Sequence, residues 1–130
     1  MTIFSKIIAG EIPSYKVAES TDFYAFLDIN PIAKGHALVV PKKETDYIFD
    51  LDDSTLGNMM IFSKRVASAI KKTIPCNRIG LTVIGLEVPH AHIHLVPITK
   101  ESDIFFNKLR QKFTSEEFKE IAASIAANFE

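Results

Sequence analysis

Apolar residues along this chain change rhythm several times, and each change marks an element boundary. Phe4, Ile7 and Ile8 recur at helical spacing and Gly10 with Pro13 ends the run, which predicts a short helix over residues 3–10. Residues 15–19 and 23–29 carry strand character on either side of the turn-like Ser20-Thr21-Asp22, and Asn30-Pro31 breaks the second. Lys34-Gly35 leads into a third strand, residues 36–40, halted by Pro41. Asp52-Asp53-Ser54 is a helix start, and Leu56, Met59, Met60, Val66, Ile70 and Ile74 follow at helical spacings until Pro75. Residues 78–84 read as a strand, 85–89 as a tight connection, and the run from His90 as another strand stopped at Pro97. A weak helical patch lies near residues 104–109. Thr114 and Glu117 then form a capping box ahead of a stripe of Phe118, Ile121, Ile125 and Phe129. The order predicts an α+β domain, a mostly antiparallel sheet with helices on one face.

At 130 residues the chain is read as one domain with room for a proper core. Its formal net charge of −1 argues against a nucleic-acid partner held by bulk counterion release. No run approaches the ~20 apolar residues of a membrane span. Cys76 is the sole cysteine, which excludes an intramolecular disulfide and makes a cytoplasmic setting the default.

Candidate chemistry concentrates in residues 90–94, His-Ala-His-Ile-His, which hold three of the four histidines. On a strand, His90, His92 and His94 would stand in one row about 6–7 Å apart, with Ala91, Ile93 and Leu95 turned into a core. A helix would scatter them. Such a row suits covalent or acid–base chemistry. It also suits a metal, with His36, Glu87 or Asp28 as a further ligand. A plain solvated face is the third reading.

Residues 90–96, His-Ala-His-Ile-His-Leu-Val, resemble the motif that names the histidine-triad (HIT) superfamily. Residues 3–13, 25–31 and 35–43 are similar to that family's opening segment, nucleoside-binding strand and third block, in the same order. The resemblance implies the HIT fold over residues 1–100, with 101–130 as a C-terminal helical extension packed on the same domain. It implies a nucleotide hydrolase or transferase of the Hint-like, nucleoside phosphoramidase branch. Its substrate would be a purine nucleoside phosphoramidate or a related adenylyl or dinucleoside polyphosphate, and no cofactor is implied. His92 corresponds to the nucleophile that forms a nucleotidyl-histidine. His90 and His94 correspond to contacts for phosphate or leaving-group oxygens, one of them protonating the departing group. Asp28 corresponds to the ribose-binding carboxylate, with a cap on the turn before Asn30-Pro31 as the lesser alternative. Phe26, Leu27 and Ile29 correspond to the wall of the base pocket, and His36 to a supporting residue.

The chain departs from that pattern in two places. The stretch before the triad, residues 83–89, is shorter than the family's Gly-rich phosphate loop. Leu86 and Glu87 stand where Gln and a small phosphate-binding residue are usual, and Pro89 adds no amide donor. A carboxylate there would oppose a phosphate and favour protonated histidines beside it. Nucleotide binding with weak or no turnover is therefore the alternative reading. Thr2, Ser5 and Glu44 occupy positions where many bacterial relatives carry Cys, Cys and His, so no structural zinc is expected. The resemblance also implies a homodimer pairing through residues 55–74 and 78–84. Independently, residues 78–84 would be an open edge, and Met59-Met60-Ile61-Phe62 wraps beyond a single stripe. The competing possibility is that the tail helix covers that surface.

Overall fold

The computed structural model describes residues 1–130. Helix α1 (Ile3–Ile8) begins at Thr2, whose side chain accepts from the Ser5 amide. Five strands follow: β1 (Lys16–Glu19), β2 (Phe23–Leu27), β3 (Ala37–Pro41), β4 (Arg78–Thr82) and β5 (Ile93–Ile98). They form one antiparallel sheet in the order β1-β2-β3-β5-β4. Helix α2 (Asp53–Thr73) connects β3 to β4 and starts on Asp52, whose carboxylate takes the Thr55 amide at 2.7 Å. Helix α3 (Ser115–Ala127) starts on the expected capping box.

Alternation along β2 sorts its residues onto two layers, as strand geometry requires. Phe23, Ala25 and Leu27 join the main core under α2 and α3, where Met59, Val66, Ile70, Phe118 and Ile125 also lie. Tyr24 and Phe26 join Phe4 of α1, Leu38 and Val40 in a second, smaller layer. Helices therefore cover both faces, not one as the sequence suggested. The reason is Phe4, whose ring packs edge-on against Phe26 across the far side of the sheet. Gly35, which leads into β3, has φ +91°, and a Cβ there would sit 2.9 Å from Ile74 Cγ1; only glycine fits.

Several sequence-based boundaries change: β2 ends at Leu27, short of residue 29, and β4 at Thr82, short of residue 84. β5 begins at Ile93, so His90 and His92 precede the strand and only His94 lies within it. Pro97 sits inside β5, opposite Ile79, and does not stop it. Pairing of β5 with β3 ends at Leu95, and an unpaired flank is where a prolyl nitrogen is tolerated. In place of a helical patch at 104–109, a 3-10 turn occupies Glu101–Ile104 and the chain then runs irregularly to Thr114.

The tail covers only part of the surface considered for it, with Phe129 against Phe62 at 5.7 Å. α3 packs beside β1, with Phe118 stacked on Tyr15 at 4.9 Å, while Met60 and Ile61 stay exposed and β4 remains the sheet's open edge. No helix is long and apolar enough to cross a membrane.

Because Ile125 is fully buried in the main core, Ile125→Ala should cost roughly 2–5 kcal/mol in urea unfolding. A loss below about 0.5 kcal/mol would mean that α3 is a peripheral appendage.

Candidate active site

All four histidines are buried. A buried imidazole must satisfy its ring nitrogens, so the partners dictate which nitrogen carries the proton. His90 donates from Nε2 to the Pro41 carbonyl at 2.8 Å and accepts at Nδ1 from the Thr2 hydroxyl at 2.7 Å. Ser5 donates its hydroxyl to Glu44 at 2.6 Å, and the same carboxylate oxygen accepts the Thr2 amide at 2.7 Å. Those two hydrogen bonds hold the Glu44 carboxyl below its ordinary range. Thr2, Ser5 and Glu44 thus form a hydrogen-bonded clasp on His90. Its side chain has no nitrogen left for a ligand, which corrects its assignment as a phosphate contact. Burial also pushes the His90 pKa down, against the pull of the Pro41 carbonyl.

What His90 supplies is its backbone. His92 Nδ1 donates to the His90 carbonyl at 2.7 Å, so the lone pair of the neutral ring is on Nε2. Phe4 stands edge-on to the ring at 5.0 Å and the His94 ring at 4.9 Å.

The third set of partners begins at a backbone amide, which can only donate. Ile32 N–H points at His36 Nδ1 at 3.2 Å. His36 therefore carries its proton on Nε2 and donates to His94 Nδ1 at 3.0 Å. His94 in turn carries its proton on Nε2. Two adjacent rings thus present opposite functions: an Nε2 lone pair on His92 and an Nε2–H on His94. Burial holds both His36 and His94 neutral, with pKa values pushed down to about 3, and the positive charge of Arg110 adds to the shift in each. The carboxylate that opposes this shift in His94 is Asp28, not Glu87, and burial outweighs it. Phe106 lies edge-on to His94 at 4.7 Å and to His36 at 5.9 Å, sealing that pair from water.

Asp28 caps the turn after β2 and also faces His36. One oxygen accepts the Asn30 amide at 2.8 Å, the turn-capping bond, and the other lies 3.6 Å from His36 Nε2. Asp28, His36 and His94 are also the one set of side chains close enough to share a cation. Such an ion would have to displace the proton between the two rings.

Two cavities meet at this point. An apolar one of about 220 Å³ is lined by Ile3, Phe4, Ile7, Phe26 and Ile29 among others. A polar one of about 340 Å³ is lined by Asn30, Gly85, Leu86, Phe106 and Arg110. Asp28, Glu87, His92 and His94 line both. Phe26 and the exposed Ile29 thus share one apolar wall. Leu27 borders the apolar cavity, but its side chain belongs to the main core on the other face. Glu87 is solvent-exposed at the shared rim, so its charge is screened by water.

Sequence reasoning missed Phe106 and Arg110. They lie on an irregular segment where no periodicity signals a face; only their i, i+4 spacing, aromatic then cation, was there to be read. It also missed the clasp, although Thr2-x-x-Ser5 at the head of a helix is a capping signal.

The family model described as HIT domain matches residues 9–101. An uncharacterized HIT-like protein of Borreliella burgdorferi is 36% identical over 136 aligned positions, covering 97% of this chain and 96% of that protein. Adenosine 5'-monophosphoramidase HNT1 of Saccharomyces cerevisiae is 44% identical over 96 positions, covering 73% of this chain and 61% of that protein. Among solved structures, a Hit-like protein from Bartonella henselae superposes with a TM-score of 0.84 at 33% identity, over 98% of this chain and 96% of that one.

The neutral pair His36–His94 has a measurable consequence. Unfolded histidines titrate near ~6.5, and both folded values lie at about 3. Between those values the unfolded chain takes up protons that the folded chain refuses. Stability is therefore complete above pH ~6.5 and falls as pH drops, by up to about 1.4 kcal/mol per pH unit for each ring. Urea unfolding at about pH 7 and about pH 5.5, above most carboxylate titration, should show this loss, and His36→Gln should shrink it. An unchanged slope in the variant would contradict the neutral pair.

Proposed function

The chain belongs to the HIT domain family, and from that premise we propose that it is a nucleotide hydrolase or transferase acting through His92. Its substrate class is a purine nucleoside phosphoramidate or a related adenylyl or dinucleoside polyphosphate bond. The observation that carries this reading is the 2.7 Å bond from His92 Nδ1 to the His90 carbonyl, which leaves the Nε2 lone pair where the apolar and polar cavities meet.

In this reading the base enters the apolar cavity against Phe4, Phe26 and Ile29, and Asp28 accepts from the ribose hydroxyls. His92 Nε2 attacks the α-phosphorus and the bond to the leaving group breaks, giving a nucleotidyl-histidine. Water then cleaves the P–N bond, releases the nucleotide and restores the imidazole. His94 Nε2–H donates to a non-bridging oxygen as a neutral ring, electrostatic help of the oxyanion kind. Relatives support the class: the 44%-identical yeast protein carries the name adenosine 5'-monophosphoramidase.

The test is incubation with AMP-phosphoramidate and with diadenosine polyphosphates, reading AMP release and a trapped adenylyl-enzyme. His92→Ala should retain the fold and lose at least about 10³-fold in turnover. Comparable rates in variant and parent would sink the proposal. Chelator treatment should leave the rate unchanged, and a loss restored by zinc would favour metal chemistry instead. Specific nucleotide binding without turnover in the parent would favour the alternative, a binding module, as the substitutions at Leu86 and Glu87 suggest.

The functional unit in this reading is a homodimer. An apolar cavity of about 850 Å³ opens between α2, the segment around Tyr47 and Phe49, and the free edge at β4. Met60, Leu81, Ile84 and the 89%-exposed Leu86 line it. A contiguous apolar surface beside an unpaired strand needs cover, and a two-fold axis offers the same patch to itself. Light scattering at micromolar concentration should give twice the chain mass of 14.5 kDa; a monomer mass would overturn the dimer.

A further inference from the structure

The polar cavity contains a cation for which the reaction so far has no use. Arg110 is the sole lysine or arginine lining either of the two cavities that meet at His92. It comes from the irregular segment between the 3-10 turn and α3, which is latched to the loop after β2 by the Gln111 amide on the Pro31 carbonyl at 2.8 Å. The guanidinium is itself held: one nitrogen donates to the Asn30 carbonyl at 2.9 Å and another to the Phe106 carbonyl at 3.4 Å, and it rests 5.6 Å over the Phe106 ring. These partners are carbonyls, not carboxylates, so the charge is not neutralised. Arginine has five N–H donors in a rigid fork, and donors remain for a ligand.

The charges around His92 leave a definite gap. His36 and His94 are neutral, and Asp28 and Glu87 line the same space. The shortened loop at Gly85–Pro89 provides few amides, and Pro89 none. A leaving group that departs as an amine needs a proton. One that departs from a phosphoanhydride needs a cation, because the bridging oxygen keeps the electron pair of the broken P–O bond. Arg110 lines the polar cavity and not the apolar one, so a leaving group lying in the polar cavity would meet it.

We infer that Arg110 is a specificity-determining residue that binds the phosphoryl group on the leaving-group side of the scissile bond, so that the site favours nucleotides extended by a second phosphate. The inference rests on the nucleotidyl-histidine reading above for its account of turnover. His92 Nε2 attacks the α-phosphorus, the bridging P–O bond breaks, and the departing phosphate carries its new negative charge against Arg110. Water then regenerates His92 and releases the mononucleotide and a proton. Fork-on-phosphate pairing is among the stronger polar contacts available to a side chain.

Binding and turnover are to be measured separately on the parent, Arg110→Gln and Arg110→Lys, with thermal unfolding as the control for folding. By calorimetry the parent should bind ADP about tenfold more tightly than AMP, and Arg110→Gln should bring that ratio below about threefold. Arg110→Lys, which keeps the charge and loses the fork, should fall between them. In turnover, Arg110→Gln should lower kcat/KM for diadenosine tetraphosphate at least about tenfold more than for AMP-phosphoramidate. An ADP:AMP ratio unchanged by Arg110→Gln overturns the inference. So does an equal loss of both affinities, which would make Arg110 a strap or a contact for the α-phosphate. If the ratio collapses as expected but parent and His92→Ala are both inactive, the hydrolase reading fails while the role of Arg110 stands.

Discussion

Burying four imidazoles in a domain of this size is possible only if each ring nitrogen facing protein finds a partner, and that requirement organises the site. A backbone amide cannot accept and a carbonyl cannot donate. Ile32 N–H therefore fixes the proton positions on His36 and, through it, on His94, while the His90 carbonyl fixes the proton on His92. The result is a lone pair beside a donor, with burial keeping the pair His36–His94 neutral.

The two apolar layers make this burial possible. Helices α2 and α3 cover one face and fill the main core. On the other face α1 brings Phe4 against Phe26 and against the rings of His90 and His92. The N-cap of α1 is the same Thr2 that satisfies His90. Local helix chemistry and the fixing of the His90 ring thus share one hydroxyl. The clasp of Thr2, Ser5 and Glu44 couples the first turn of the chain to the His92 ring through the His90 carbonyl, without any of its members lining either cavity.

The segment after β5 plays the corresponding part on the opposite side. Phe106 seals His36 and His94, and Arg110 introduces a permanent charge into an otherwise neutral or acidic space. The loop before the triad is short, and its outermost side chain, Leu86, turns toward the apolar surface beside β4 while also bordering the polar cavity. The surface read as a dimer face and the wall of the polar cavity are therefore one loop.

Much of this was legible in the chain itself. Alternation at 90–95 announced a functional row backed by Ala91, Ile93 and Leu95, all three of which are buried in the main core. Caps at Asp52 and Thr114 announced two helices, and the four sequence blocks announced the family, because periodicity and local capping are written in neighbouring residues. The division of labour within the row was not legible. His90, His92 and His94 are chemically identical in sequence. Only tertiary partners separate them: Pro41 and Thr2 consume both nitrogens of His90, whereas a carbonyl takes one nitrogen of His92. Nor could spacing bring Arg110 beside a residue eighteen positions earlier, since an irregular segment carries no period. Local rhythm determined the elements. Long-range hydrogen bonds, which depend on chain segments far apart in sequence, decided which histidine keeps a nitrogen without a protein partner.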